Sequence, residues 1–115
     1  MSDCIFCQII KKDIPSTIVY EDDEILAFED INPQLPVHTL VVPKVHYAHL
    51  GDEVPQDLLG RLFSVVPLIA KLKGVDQSGY RVVVNIGEDG RQTVPHLHIH
   101  ILGGALMPIR MGPAD

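Results

Sequence analysis

The pattern of apolar and polar positions is strictest near the C-terminal end of the chain, over residues 96–102. Every second position there is a histidine, namely His96, His98 and His100, and the positions between them are Leu97, Ile99 and Ile101. A two-residue period predicts a β-strand, because successive side chains of a strand point to opposite faces of a sheet. We therefore expect the three histidines to line one face of a sheet and the aliphatic residues to be buried against the other.

Four further stretches predict strands, and two predict helices. The predicted strands are apolar runs bounded by turn-forming residues, and they comprise residues 17–20, 24–29, 37–43 and 80–86. A short helix is predicted over residues 4–11, with Asp3 as its cap. A long amphipathic helix is predicted from Pro55 to about residue 73, with Gly74 as its stop signal and a kink at Pro67.

The predicted elements follow the order helix, three strands, helix, two strands. That order indicates an α+β fold with a five-stranded, mainly antiparallel sheet. We expect a single domain, residues 1–115, in which residues 105–115 form a C-terminal tail. An open sheet leaves two edges without partners, and the long helix has apolar residues around much of its circumference. Association of two copies would cover both features, so we expect a homodimer.

Composition narrows the range of partners and compartments. The chain has 115 residues, of which 46% are hydrophobic, and a formal net charge of −6. The negative charge argues against general binding to nucleic acid, and no run of about 18 apolar residues predicts a membrane span. The first residues, Met1, Ser2 and Asp3, do not resemble a secretory signal, so we expect a cytoplasmic protein.

The alternating histidines are the strongest candidates for chemistry. A neutral imidazole is a competent nucleophile near pH 7, because its ordinary pKa is about 6.5. His98, at the centre, is best placed to attack a substrate, and His96 and His100 can hold its tautomer or donate to an anionic oxygen. Side chains on one face of a strand are about 6.6 Å apart. That spacing suits contacts along an extended polar ligand better than three ligands to one metal ion.

A glycine-bearing polar loop leads directly into the histidines. Gly87 and Gly90 allow backbone N–H groups to approach an anion closely. Gln92 and Thr93 add side-chain donors, and Asn85 adds another just before the loop. Beside the histidines we interpret the loop as a phosphate-binding cradle; taken alone, it would be an ordinary hairpin loop.

Asp30 has two interpretations. It follows a predicted strand and precedes a loop stiffened by Pro33 and Pro36. Its carboxylate could accept hydrogen bonds from the hydroxyls of a sugar, or it could cap the turn in which it lies.

The two cysteines, Cys4 and Cys7, have the spacing of half a zinc site. His46 and His96 could complete a Cys₂His₂ set, which would be closed and therefore structural. The alternative is a pair of half-buried thiols at the start of a helix. His49, in the same irregular segment as His46, is interpreted as a surface residue.

The histidine stretch, His96-Leu97-His98-Ile99-His100-Ile101-Leu102, resembles the His-φ-His-φ-His-φ-φ signature of the histidine triad (HIT) superfamily, in which φ is an apolar residue. Other stretches resemble the Hint branch of that superfamily, among them residues 28–38, 40–44, 79–81 and 102–104. The resemblance extends over nearly the whole chain, from Ile5 to Gly104.

This resemblance implies an α+β fold in which two protomers pair to give a continuous ten-stranded sheet. It also implies a hydrolase that binds purine nucleotides and cleaves bonds at the α-phosphorus without a metal ion there. The bonds are typically the P–N bonds of nucleoside phosphoramidates and related bonds of aminoacyl-adenylates. Two alternatives stay open: hydrolysis of dinucleoside polyphosphates, and regulatory nucleotide binding with weak catalysis.

By the same resemblance, His98 is the nucleophile and carries a transient nucleotidyl group, and His100, His38 and Thr93 assist it. Asp30 matches the acceptor for the ribose hydroxyls. The remaining nucleotide contacts are the phosphate or leaving-group residues Asn85, Gln92 and Thr93 and the base-pocket residues Ile5, Phe6, Ile9, Phe28 and Ile31.

Three departures from the Hint pattern concern the leaving group. Gly90-Arg91-Gln92 stands where many Hint proteins have Gly-Gly-Gln, so Arg91 could contact phosphate or restrict its approach. Thr93 stands where serine is common. The chain has no tryptophan, so a leaving-group pocket built by a partner's C-terminus would differ.

Overall fold

The predicted order of elements is the order in the structure. The computed structural model describes residues 4–109, which form the helices α1 (Ile5–Ile10) and α2 (Gln56–Leu72) and the strands β1 (Ile18–Glu21), β2 (Ile25–Glu29), β3 (Val37–Pro43), β4 (Tyr80–Val83) and β5 (Ile99–Gly103). The strands form one antiparallel sheet in the order β1-β2-β3-β5-β4. The predicted α+β fold with a five-stranded sheet is therefore confirmed, and the pairing of two such sheets in a dimer stays a prediction.

The two faces of the sheet are covered by different helices. The core under α2 contains Val41 and Ile101 of the central strands. The core under α1, on the opposite face, contains Phe28 and Leu40. Leu40 pairs with His100 across β3 and β5, so the imidazole of His100 lies on the α1 face of the sheet.

A cysteine, and not the predicted aspartate, caps α1. Cys4 is the N-cap, and its Sγ accepts a hydrogen bond from the backbone N–H of Cys7 at 3.4 Å. Asp3, the predicted cap, lies outside the described residues, as do residues 110–115 of the predicted tail. Phe6 and Ile9 on the inner side of α1 are buried, so the short helix covers the histidine face of the sheet.

α2 extends over 17 residues and continues through Pro67 as one element. Its buried side chains lie along one face, in agreement with the predicted amphipathic helix, and are Leu58, Leu62, Val65, Val66, Ile69 and Ala70. Gly74 ends the helix as predicted, with a φ of 75° and its N–H donated to the carbonyl oxygen of Lys71 at 3.1 Å. Among residues 4–109, no helix is long and apolar enough to cross a membrane.

β5 begins at Ile99, later than the predicted start at His96. The backbone N–H of Leu97 donates to the carbonyl oxygen of Tyr47 at 2.7 Å, so the main chain at Leu97 bonds to the irregular segment after β3. The alternation of side chains nevertheless continues, because Leu97 is buried under α2 while the rings of His96 and His98 contact α1. The predicted strand over residues 96–98 is therefore wrong, and the predicted shared face is confirmed.

β4 ends at Val83 and not at residue 86 as predicted. Its pairing with β5 ends where Val83 meets His100, and the side-chain amide of Asn85 donates to the carbonyl oxygen of Gly90 at 2.8 Å. The chain therefore leaves the sheet before the glycine-bearing loop, and a side-chain hydrogen bond closes that loop.

Candidate active site and metal centre

A cavity of about 660 Å³ lies between α1 and the histidine face of the sheet. The predicted site residues that line it are Ile5, Phe6, Ile9, Phe28, Asp30, Ile31, Thr93, His98 and His100. Other lining residues were missed by sequence reasoning, namely Ile14, Pro15, Ser16, Thr17, Glu29, Asn32, Leu40 and Val94. Several of these lie in the connections around β1 and β2, where no periodic pattern indicates which side chains turn inward.

One part of the cavity wall is apolar and aromatic. Phe6 packs edge-on against Phe28, with ring centroids 5.4 Å apart, and against His98, with centroids 5.0 Å apart. Ile5 and Ile31 are large aliphatic residues at this wall that remain 47% and 90% exposed. A flat apolar ligand bound beside them would remove that surface from water.

His38 and His100 form a hydrogen-bonded pair whose tautomers are set by the backbone. The N–H of Gln34 donates to Nδ1 of His38 at 3.1 Å, so in the neutral ring the proton of His38 lies on Nε2. That Nε2 lies 2.9 Å from Nδ1 of His100 and donates to it, which leaves the proton of His100 on its Nε2. Both rings are buried, and His100 reaches the cavity as a hydrogen-bond donor.

Asp30 takes part in this network and also in its own turn. Its Oδ2 lies 3.4 Å from Nε2 of His38, and its Oδ1 accepts the backbone N–H of Asn32 at 2.8 Å. The turn-capping hydrogen bond that the sequence indicated is thus present. The same carboxylate lines the cavity, where it can accept further hydrogen bonds.

His98 has the opposite tautomer from His100. Its Nδ1 lies 2.7 Å from the carbonyl oxygen of His96, which can only accept, so Nδ1 carries the proton. The neutral ring therefore has its lone pair on Nε2. His98 is 3% exposed, lines the cavity and contacts the ring of His100 with centroids 4.9 Å apart. One ring with a basic nitrogen and a neighbouring ring with an N–H donor thus meet in the same cavity.

Asn85 and Gln92 do not line this cavity. Asn85 closes the loop on Gly90. The amide of Gln92 donates to the carbonyl oxygens of Ala48 and Val94 and accepts the N–H of Gly87. The side-chain N–H groups of both residues thus hold the loop. Their predicted contacts with phosphate stay predictions.

A second cavity, of about 600 Å³, adjoins the glycine-bearing loop. It is lined by Ala48, His49, Gly87, Glu88, Arg91, Gln92, Thr93 and Pro95. Sequence reasoning did not find it, since two segments distant in sequence form it. The signal for it in the sequence was Arg91, the one cation among residues 87–93.

The four residues predicted as zinc ligands come together beside the active site. Their ligand atoms, from Cys4, Cys7, His46 and His96, all lie within 4.8 Å of one another. Nδ1 of His96 is 3.5 Å from Sγ of Cys4 and 3.6 Å from Sγ of Cys7, and Nδ1 of His46 is 3.3 Å from Sγ of Cys7. Zinc–ligand bonds of ordinary length in a tetrahedron place sulfur and nitrogen about 3.6 Å apart. The donor set therefore fits a tetrahedral zinc ion.

The surroundings of His96 favour a neutral ligand. Burial lowers the pKa of His96 to about 4, against the opposing effect of a hydrogen bond to Pro43. Nε2 of His96 donates to the carbonyl oxygen of Pro43 at 3.0 Å, which leaves the lone pair on Nδ1, the atom that faces the sulfurs. Burial also raises the pKa of the Cys7 thiol, and a bound cation would act in the opposite direction.

A second group of possible ligands, Asp30, His38 and His100, does not fit a metal ion. Nδ1 of His38 already accepts the backbone N–H of Gln34. A metal on Nε2 would therefore require this ring to lose both protons. The group is better described as a hydrogen-bond network than as a metal site.

Comparison with known proteins agrees with this geometry. Residues 11–107 match the family model described as the HIT domain. The chain is 50% identical over 109 residues to a 14 kDa zinc-binding protein of Brassica juncea, covering 91% of this chain and 96% of that one. It is 48% identical over 110 residues to the adenylylsulfatase HINT1 of Arabidopsis thaliana, covering 92% of this chain and 74% of that one.

Solved structures show the same fold. A histidine triad protein from Clostridium difficile superposes with a TM-score of 0.90 at 52% identity, covering 96% of this chain and 98% of that chain. A HIT family hydrolase from Clostridium thermocellum gives the same TM-score, 0.90, and the same coverage at 40% identity. The chain therefore belongs to the HIT domain family, and its relatives include a protein of the Hint type.

Proposed function

We propose that this protein is a nucleotide-binding hydrolase that cleaves P–N and related bonds at the α-phosphorus of purine nucleoside phosphoramidates and aminoacyl-adenylates. The reaction proceeds through a nucleotidyl-histidine intermediate on His98. The observation that carries the proposal is the tautomer of His98, because its hydrogen bond to the carbonyl oxygen of His96 leaves Nε2 as a nucleophile. That ring lines a cavity whose other walls suit a nucleotide.

The cycle has two displacements at phosphorus. In the first, Nε2 of His98 attacks, a bond to phosphorus forms, and the P–N bond to the amine breaks. The amine takes up a proton from solvent as it leaves. In the second, water attacks the nucleotidyl-histidine, releases a proton and frees the nucleoside monophosphate. One imidazole thus replaces a difficult attack by water with two easier steps.

His100 and Thr93 stabilise the phosphoryl group during these steps. The hydrogen bonds from Gln34 to His38 and from His38 to His100 leave the proton of His100 on Nε2. That N–H donates to a phosphoryl oxygen as negative charge develops there. The hydroxyl of Thr93, which lines the same cavity, adds a second donor.

The rest of the cavity binds the nucleoside. Asp30 accepts hydrogen bonds from the ribose hydroxyls through a carboxylate that the turn holds in place. The base lies against the apolar wall formed by Ile5, Phe6, Ile9, Phe28 and Ile31. Contacts of this kind select a purine mainly by its size and apolar surface.

We also propose that Cys4, Cys7, His46 and His96 bind one zinc ion. Four protein ligands complete a tetrahedron, so the ion has no open position and serves to hold the structure together. It connects α1, through the thiols, to the segment that carries His98, through His96. The zinc-binding name of the Brassica juncea relative supports this assignment.

A homodimer completes the proposal. β4 is one edge of the sheet, and on it Val82 is 39% exposed. The opposite edge, β1, carries Glu21, which is paired with Lys12 and Lys44. β4 carries one charge, Arg81, against the three charges gathered at Glu21. Charges discourage pairing at an edge, so β4 is the edge that we assign to the partner.

The experiment that tests the function is a trapping assay with matched substrates. The protein is mixed with an adenosine phosphoramidate, acid is avoided during quenching, and the intact protein is weighed by mass spectrometry. The wild-type protein should gain one nucleotidyl group, and His98→Gln should gain none although it still binds AMP. Turnover of a diadenosine polyphosphate but not of the phosphoramidate would favour a dinucleoside polyphosphate hydrolase. Binding of AMP without turnover of either substrate would favour a regulatory role.

A further inference from the structure

The second cavity lies next to the proposed reaction centre. Thr93 lines both cavities, and His98 lines the first. A ligand whose phosphorus lies within reach of His98 can therefore extend past Thr93 into the second cavity. The base and ribose are assigned to the first cavity, so the part of a substrate that reaches the second is the group on the other side of the phosphorus.

The loop that presents Arg91 to this cavity is constrained by a close backbone approach and by hydrogen bonds. A Cβ on Gly90 would lie 2.4 Å from the carbonyl oxygen of Ile86, so only glycine fits there. The backbone N–H of Arg91 donates to the carbonyl oxygen of Glu88 at 2.9 Å, and the Gln92 amide ties the loop to the segment that carries His49. The starting point of the Arg91 side chain is therefore fixed relative to the cavity.

Arg91 adopts a backbone conformation that suits glycine better. Its φ is +62°, in the left-handed region that residues with a Cβ adopt at a cost of about 1 kcal/mol or more. No ion pair between residues of the 4–109 range includes Arg91. The guanidinium thus stands at the cavity with its charge available to a ligand.

His49 supplies a second donor on the same wall. Its Nδ1 accepts the backbone N–H of Gly51 at 3.0 Å, so in the neutral ring the proton lies on Nε2. Glu88, on the cavity lining as well, opposes these donors with one negative charge. A carboxylate is the acceptor that pairs most strongly with Arg91 and His49, and it must compete with the carboxylate of Glu88.

We infer that the second cavity binds the leaving group and that Arg91 selects leaving groups that carry a free carboxylate. The substrates that meet this condition are phosphoramidates formed through the nitrogen of an amino acid, since these keep their carboxylate. The inference rests on the proposed function and names the substrate class that the same site prefers.

The test compares two substrates that differ in one charge. In one, the phosphorus of AMP is bonded to the amino nitrogen of alanine, whose carboxylate is free. The other is the same compound with that carboxylate converted to its methyl ester. The measured quantity is the ratio of kcat/KM for the acid to kcat/KM for the ester. In the wild-type protein the ratio should exceed one and should fall as salt is added, because an exposed pair is screened.

Four variants make the assignment specific. Arg91→Asn removes the charge, and asparagine tolerates the left-handed conformation; it should lower the ratio by about five- to tenfold, mainly through the KM of the acid. Arg91→Lys should restore most of the ratio. Glu88→Gln should raise the ratio, because it removes the opposing charge. Lys71→Gln, in α2, is the matched control, because Lys71 lines neither cavity, and it should leave the ratio as it is.

The outcomes separate the inference from the function on which it rests. If Arg91→Asn hydrolyses both substrates with the wild-type ratio, the inference is overturned and the proposed function stands. If the wild-type protein hydrolyses neither substrate, the proposed function is overturned and this inference with it. A drop in the ratio with Arg91→Asn, reversed by Arg91→Lys, supports both.

Discussion

The carbonyl oxygen of His96 lies 2.7 Å from Nδ1 of His98. A residue of the cysteine–histidine cluster thereby fixes the tautomer of the proposed nucleophile through its backbone, while its ring faces the thiols. The two sites are adjacent in sequence and share the segment 96–98. Changes at the cluster are therefore expected to affect the chemistry at His98 without any direct contact with the substrate.

Replacement of His98 by alanine should abolish turnover while binding persists. The variant lacks the nucleophile, so the rate should fall by at least about a thousandfold. The apolar wall and Asp30 are unchanged, so AMP should still bind in a calorimetric titration. Retention of a tenth of the wild-type turnover would contradict the role assigned to His98.

The backbone N–H of Gln34 can be removed by a single substitution. Gln34→Pro deletes the N–H that donates to Nδ1 of His38. The ring of His38 is then free to change tautomer, and the proton of His100 is no longer confined to Nε2. We expect turnover to fall by about ten- to a hundredfold and the ¹⁵N signals of both rings to report mixed tautomers. Gln34→Ala keeps the N–H and is the control, so an equal loss in that variant would refute the explanation.

The cluster of Cys4, Cys7, His46 and His96 should contain about one zinc per chain in protein purified without chelator or nickel resin. Chelation should lower the melting temperature, and added zinc should restore it. Cys7→Ser should lose most of the metal, because one of the two thiolates is gone. Less than about a tenth of an ion per chain, together with a melting temperature that chelator does not change, would rule out the site.

The β4 edge predicts the oligomeric state. Sedimentation at micromolar concentration should give twice 12.7 kDa. Val82→Lys places a charge on the proposed interface and should shift the protein towards the monomer. Val45→Lys changes another exposed valine, which is 62% exposed, and should leave the dimer intact. A monomeric wild-type protein would disprove the assignment.

Two glycines should respond to alanine in opposite directions. Gly90→Ala brings a Cβ against the carbonyl oxygen of Ile86 and should lower the free energy of unfolding by about 1–3 kcal/mol. Gly60, in α2, has nothing within 4 Å of an added Cβ, so Gly60→Ala should raise it by about 0.5–1 kcal/mol. Urea unfolding measures both, and equal effects of the two substitutions would contradict the described loop.

The sequence predicts the elements well where periodicity reports burial. The alternation from His96 to Ile101 gave the correct faces, because side-chain direction follows from local backbone geometry. The same alternation gave the wrong start for β5, since the hydrogen bonds of a strand depend on which segment of backbone lies beside it. Leu97 bonds to Tyr47, and no local pattern reveals a partner fifty positions away.

The sequence predicted the chemical roles of the site's histidines and aspartate better than the contacts of its loop residues. The residue types at His98, His100 and Asp30 indicated what they could do. The engagement of Asn85 and Gln92 with the loop depends on which carbonyl groups turn towards them. The same dependence on folded geometry hid the second cavity, whose walls come from the loop of Arg91 and the segment of His49.

The donor that sets the tautomers of His38 and His100 is a main-chain N–H. Every residue except proline possesses this group. The identity of the side chain at position 34 is therefore of little consequence to that bond, while its distance along the chain from His38 is decisive. An inserted or deleted residue between Gln34 and His38 would bring a different part of the backbone to the ring. Attempts to reshape this family member by exchanging side chains should succeed in that connection more readily than attempts to change its length.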